Sequence, residues 1–300
     1  MVLPPFLRRG DAVGIVAPAF RVNRDDLDRG IDCLVSWGLR PQCGQWVYGS
    51  ENQFSGTDAQ RLADLQHMLD HPDIRAVFMA RGGYGTTRIM DRLQFQDLLR
   101  RPKWIVGFSD ITALLLRLEG LGLVAMHGPM PAHFQQNGAD AAMVRLKEAL
   151  FGNIVPLEAQ ACSLNRAGTA KGLLTGGNLA LISHLMGSAT EPDFTGKILF
   201  LEDTGEYYYN LDRMMLQLRR AGKLYGLAGL MVGQFSDCRD FPVPFGKTAY
   251  DIVAEHVEGY GFPLAFGFPI GHIADNRCVP VGMEAQLTVD AGGAICSFEL

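Results

Sequence analysis

Short apolar runs alternate with amphipathic stretches of helix length through the first half of this chain, and that alternation constrains the fold more than any other feature. Ala12 to Ala17 is apolar and small throughout, as a strand buried on both faces requires. Asp25 to Trp37 then carries Leu27, Ile31, Leu34 and Val35 at helical spacing and stops at Gly38. The unit recurs. Thr57 can cap a helix with Leu62, Leu65, Met68 and Leu69 on one face, ending before Pro72, and Ala76 to Ala80 follows as a strand. The same reading predicts a helix over Thr87 to Leu99, a strand over Trp104 to Gly107, a helix over Ile111 to Leu118 and a strand over Leu123 to Met126. Strands and helices in strict alternation form a parallel sheet with helices on both faces.

Around Asn153 to Gly168 the periodicity gives way to small and polar residues, including Pro156, Asn165 and Gly168. The expected organisation is an N-terminal α/β domain over residues 1–152, a linker over 153–168 and a smaller mixed α+β domain over 169–300. In the second half, glycine-rich Gly172 to Asn178 precedes a helix over Leu179 to Met186. Ile198 to Leu201 reads as a strand and Leu211 to Arg220 as a helix. Leu227 to Val232 and Leu264 to Phe268 read as strands around a helix at Lys247 to Val257. The end reads as a hairpin, with Ala285 to Val289 and Ala294 to Phe298 joined by Asp290-Ala291-Gly292-Gly293.

Composition narrows the function classes. With 48% hydrophobic and 20% charged residues, the chain has the balance of a globular protein rather than a disordered or fibrous one. The net charge of −5 leaves no basic surplus for a phosphate backbone, so nucleic acid is not an expected partner. The densest apolar stretch, Ala113 to Met126, is broken by Arg117, Glu119 and two glycines, so no membrane span is expected. The first residues lack the order of basic then apolar residues that marks an export signal. Six scattered cysteines without a CxxC pair read as reduced thiols, which favours a cytoplasmic location. No HExxH, paired Cys/His set, Walker loop or GxGxxG is present, and neither a metal nor another cofactor is expected.

Three segments could carry chemistry. Trp104 to Thr112 is an apolar strand, a turn bearing Ser109 and the start of a helix, so its hydroxyl would stand at the carboxyl end of the sheet. This is not GxSxG, since position 111 is Ile, and Ser109 could equally be a helix cap. Arg81-Gly82-Gly83-Tyr84-Gly85 lies between a strand and a helix and lets backbone approach a ligand closely, either as an oxyanion donor or as an ordinary sharp turn. Ile198 to Asp203 ends an apolar strand in two carboxylates. Glu202 could orient a histidine and Asp203 could cap the next segment, or both could be solvated. Among seven histidines, His127 and His272 follow apolar strands and compete as a base, while His67 and His71 read as surface residues.

Taken in order, the Arg81 to Gly85 loop, Gly107-Phe108-Ser109-Asp110-Ile111-Thr112, His127-Gly128-Pro129-Met130, Gly176-Gly177-Asn178-Leu179, Leu201-Glu202-Asp203 and Gly271-His272 resemble the serine LD-carboxypeptidases over nearly the whole chain. That resemblance implies a flavodoxin-like N-terminal domain, a C-terminal domain with a small β-barrel or sandwich, and a homodimer. It implies a catalytic triad of Ser109, Glu202 and His272, with the Asp110 N–H and one from Gly82 or Gly83 forming the oxyanion hole. The implied substrate is a murein tetrapeptide, free or on a muramic acid or UDP-sugar carrier, cleaved between diaminopimelate and terminal D-alanine during peptidoglycan recycling. A relative within the family cleaves a peptidyl-nucleotide antibiotic and would share the same motifs. A non-enzymatic two-domain ligand-binding protein is the reading from another class. Arg81, Arg239 and Lys247 are the candidates for holding a substrate carboxylate, and Tyr207 to Tyr209 could wall the site or simply pack.

Overall fold

The computed structural model describes residues 1–299. They form two compact units, one of Met1–Ile154 with Ala274–Pro280, the other of Val155–Ile273 with the segment from Val281 onward.

The first unit is built on β1 (Ala12–Val16), β2 (Arg40–Cys43), β3 (Ile74–Met79), β4 (Trp104–Gly107) and β5 (Ala125–His127). The strands lie side by side in the order 2-1-3-4-5, every neighbouring pair parallel, which is the doubly wound order of flavodoxin-like folds. Its helices are α1 (Arg24–Ser36), α2 (Asp58–Asp70), α3 (Thr86–Met90), α4 (Gln96–Arg100), α5 (Thr112–Gly120) and α6 (Asp140–Leu150). All residues of β1 and β4 are buried, as their unbroken apolar character requires. Asn23 caps α1 through its side chain, and Thr57 with Gln60 forms a capping box on α2.

Two local readings change. The single helix expected over Thr87 to Leu99 is two short helices, α3 and α4. The Gln66 side chain on α2 accepts a hydrogen bond from Gln94 N–H (2.8 Å) and draws that residue out of a continuous helix. Strand β2 carries no apolar signal, because Arg40, Gln42 and Cys43 are exposed at the sheet edge, where Pro41 is also tolerated.

The second unit holds β6 (Leu157–Gln160), β7 (Gly168–Asn178), β8 (Ile198–Thr204), β9 (Gly229–Ser236) and β10 (Leu264–Phe266). The chain then contributes β11 (Val279–Val281) at the β5 edge of the first sheet, and the hairpin of β12 (Glu284–Asp290) and β13 (Gly293–Phe298) to the second. The second sheet runs 10-9-8-7-12-13-6. Strands β7 to β10 are parallel, while β12, β13 and β6 are antiparallel to their neighbours. Its helices are α7 (Leu179–Leu185), α8 (Tyr208–Arg220) and α9 (Ala249–His256). Arg166, between β6 and β7, bridges to Leu264 on β10 at the other end of the strand order, and this curls the sheet toward closure.

The segment expected to be a linker, 153–168, contains β6, which pairs with β13 through Leu157 to Gln160. Its alternation of buried and exposed residues spans only four positions, too short to stand out from a polar background. Residues 274–280 likewise return to the first unit, although the expected boundaries assigned them to the C-terminal domain. Among the described residues no helix is long and apolar enough to cross a membrane.

Candidate active site

Ser109 stands where β4 ends and the chain turns toward α5. Gly107 pairs with His127 at the end of β5, and Ser109 to Ile111 form a 3₁₀ turn leading directly into α5. Ser109 has φ +63°, one of only three non-glycine residues with positive φ among those described. A left-handed serine between a strand and a helix has the strained backbone that a nucleophile elbow requires. The N-cap position of this turn is Phe108 and that of α5 is Ile111, so Ser109 occupies neither cap position. The Asp110 N–H lies in the first turn, where backbone donors lack an intrahelical acceptor.

The glycine loop packs directly on this elbow. A methyl group at Gly82 would lie 3.0 Å from Ser109 Cβ and 3.3 Å from its Oγ, so a side chain there would crowd the serine. Gly83, at φ +112°, lies against Phe20. The Asp110 carboxylate, 1% exposed, accepts from the Thr86 N–H at 2.8 Å and ties the elbow to the first residue of α3. Arg61, also 1% exposed, donates to the Gly85 carbonyl (3.0 Å), to the Gly56 carbonyl (3.2 Å) and to the Pro18 carbonyl. Gly82, Gly83, Ser109 and Asp110 are therefore one packed constellation within the first unit. Sequence reasoning singled out only the backbone of Asp110 and passed over Arg61. The available signal was an arginine on an otherwise amphipathic helix, three residues after Asp58, with which it pairs.

The second unit brings Glu202 and His272 together. Glu202, fully buried near the end of β8, accepts a hydrogen bond from His272 Nδ1 at 2.7 Å. Gly271, at φ +122°, makes this pairing possible, since a methyl there would lie 2.9 Å from Glu202 Cβ and Oε2. Burial of the His272 ring opposes its charge. The Glu202 hydrogen bond and charge, with further contributions from Asp203 and Asp237, outweigh burial and raise its pKa above the ordinary histidine value. Asp203 is pushed up to about 7 by burial and by the Glu202 charge. Asp203 accepts from Asn178 Nδ2 (2.8 Å) and Ala180 N–H (2.9 Å), securing the start of α7, and from the N–H of the next residue, Thr204 (2.8 Å). Asn178 itself caps α7 by accepting from Leu181 N–H at 3.1 Å.

The other candidates separate clearly. His127 is fully buried on β5, edge-on to Phe108 at 5.8 Å between ring centroids. Lys247 is ion-paired with Glu255. Tyr207 and Tyr209 both stack on Phe241, at 4.9 and 5.5 Å. No cluster of three or more potential metal ligands occurs among the described residues.

Residues 13–128 match the LD-carboxypeptidase N-terminal domain, and residues 171–287 the LD-carboxypeptidase C-terminal domain. The murein tetrapeptide carboxypeptidase of Pseudomonas aeruginosa is 33% identical, covering 92% of each chain. The probable murein peptide carboxypeptidase of Bacillus subtilis is 32% identical over 95% of this chain and 91% of its own. The muramoyltetrapeptide carboxypeptidase structure from Oxalobacter formigenes superposes with a TM-score of 0.87 at 29% identity, covering 96% of this chain and 99% of that one. The microcin C7 self-immunity protein of Escherichia coli is more distant, at 22% identity over 94% of this chain and 91% of its own. With identity above 30% sustained across almost its whole length, and both domains matched in order, this chain belongs to the LD-carboxypeptidase family.

Proposed function

We propose that this protein is a serine carboxypeptidase that hydrolyses the amide between the L-centre of meso-diaminopimelate and the terminal D-alanine of murein tetrapeptides. The carrying observation is the hydrogen bond from His272 to the fully buried Glu202. It fixes one ring tautomer and leaves Nε2 as the basic nitrogen, the arrangement a serine nucleophile needs from its partner. The names of the relatives at 32–33% identity support the murein substrate.

In this reading His272 Nε2 takes the Ser109 proton as Oγ attacks the carbonyl. The Asp110 N–H, with one from Gly82 or Gly83, stabilises the oxyanion. The imidazolium then protonates the departing D-alanine amine. Water, deprotonated by the same ring, releases the tripeptide from the serine ester. Glu202 holds the ring orientation and stabilises its charged form. The enzyme acts as a homodimer in the cytoplasm, consistent with unbridged thiols at Cys33, Cys43, Cys162, Cys238 and Cys278.

The test is single-turnover D-alanine release from L-Ala-D-Glu-meso-diaminopimelate-D-Ala, with the pentapeptide as comparison. The wild type should convert the tetrapeptide and leave the terminal D-Ala-D-Ala bond intact. Ser109→Ala and His272→Ala should each lower the rate by several decades, on the order of a millionfold in the best-studied serine protease, and the double variant should be no worse than either. A folded Ser109→Ala protein with near wild-type release would overturn the serine assignment. Preferential pentapeptide cleavage would overturn the substrate.

A further inference from the structure

We propose that a polar cavity of about 380 Å³ in the first unit is a subsite for a substrate carboxylate, with Arg81 as its anchoring cation. The proposal deepens the carboxypeptidase reading and rests on it. The cavity is lined by residues following β1 (Asn23, Asp26, Arg29), following β3 (Arg81) and following β5 (His133, Gln136). It therefore lies outside the carboxyl ends of β1 and β3, where the strand order 2-1-3 reverses direction, the crevice in which open α/β sheets hold their ligands.

Its walls are rigid. The Ala132 N–H bonds to the Ala80 carbonyl at 3.1 Å, and Gly30 of α1 lies so close to Pro131 that a methyl there would sit 2.2 Å from the proline carbonyl oxygen. The cavity is also next to the chemistry. Gly82, following Arg81, is the residue packed on Ser109, and His133 lies against Phe108, which precedes Ser109, with ring centroids 6.0 Å apart.

The charges select the ligand. Arg29 is ion-paired with Asp26 on its own helix. Arg81 pairs with no carboxylate among the described residues, and its one hydrogen bond is a long 3.4 Å contact to the Arg21 carbonyl. One uncompensated guanidinium among amide side chains matches a single planar anion, and the fork geometry of arginine fits a carboxylate in two parallel hydrogen bonds. Of the other cations considered, Lys247 is committed to Glu255, and Arg239 belongs to the second unit and does not line this cavity. A murein tetrapeptide offers two carboxylates beside the scissile amide, one on the terminal D-alanine and one on the D-centre of diaminopimelate.

The experiment measures tripeptide formation by wild type, Arg81→Met and Arg81→Lys from three substrates: the tetrapeptide, its terminal D-alaninamide and its diaminopimelate monoamide. Circular dichroism accompanies each variant. Arg81→Met should raise KM for the parent tetrapeptide about ten- to hundredfold, the worth of a charge-assisted pair, and change kcat by less than about threefold. Arg81→Lys should recover part of the loss. One amidated substrate should show the same loss with wild type and suffer no further loss with Arg81→Met, which identifies the bound carboxylate, while the other amide stays additive with the variant. If Arg81→Met leaves KM within about twofold, or both amides remain additive with it, the subsite is disproved while the carboxypeptidase reading stands. If wild type forms no tripeptide from the parent substrate, the carboxypeptidase reading fails and this subsite falls with it.

Discussion

At the scale of single residues, the proposed mechanism rests on one strained position, Ser109, and one buried one, Glu202. Ser109 was legible as a turn serine, but φ +63° distinguishes it from an ordinary cap, because a capping serine has extended backbone. Glu202 was legible as a strand-end acid. Its complete burial and its bond to a histidine 70 residues later follow from β8 and the segment after β10 meeting in space, which no local pattern encodes. The pairing has a pH signature. Because the His272 pKa is raised, kcat/KM should fall on the acid side through a pKa above the ordinary 6.5 as the ring protonates and ceases to be a base. Glu202→Gln removes the charge that raises it, so the acid limb should move to lower pH while the maximal rate falls. An unmoved limb in the pH–rate profile would show that the titrating group is not His272. By linkage, the same pairing favours the folded state below the unfolded histidine pKa, and that contribution fades as pH rises through the raised folded value.

At the scale of elements, the region proposed to bind the oxyanion is two turns held in register by side chains. The Asp110 carboxylate binds the start of α3 and Arg61 binds the Gly85 carbonyl, so the glycine loop is fixed against the elbow before any substrate arrives. Asp110→Ala leaves the buried Thr86 N–H without its acceptor and should cost about 1–3 kcal/mol, read from the urea midpoint. Released from its tether, the loop should also lower kcat more than it raises KM. Asp110→Asn keeps an oxygen in place and should restore most of both properties. An Asp110→Ala protein with unchanged kcat would show that the tether is purely structural. The glycines of this loop were plain in the sequence. Their packing was not, because Gly82 is tight against Ser109 while its own backbone angle is one any residue adopts.

At the scale of the whole molecule, the chain does not divide at one point. Residues 274–280 belong to the first unit although more than a hundred residues of the second precede them, and β11 occupies the sheet edge beside β5. A fragment of residues 1–154 would expose the β5 edge, whose unpaired backbone groups are a template for association. It should elute as soluble aggregate in size exclusion with light scattering. The same fragment with residues 274–281, which contain all of β11, appended through a flexible linker should recover monomer. A monomeric, cooperatively unfolding 1–154 fragment would show that β11 is dispensable.

The sequence by itself determined the alternation of buried strands and helices in the first half, the Thr57 cap of α2 and the C-terminal hairpin. Apolar periodicity, side-chain caps and turn glycines act over a few neighbouring residues, so their signal survives without the fold. Only the tertiary structure decided the edge strands β2, β6 and β11, the break between α3 and α4 and the cavity beside Arg81, and it is the structure that shows His272, the partner the resemblance implies, bonded to Glu202. Each of these depends on a partner distant in sequence. A polar edge strand exists because a neighbour supplies its hydrogen bonds, and a buried carboxylate is tolerated because a ring nitrogen from another segment meets it.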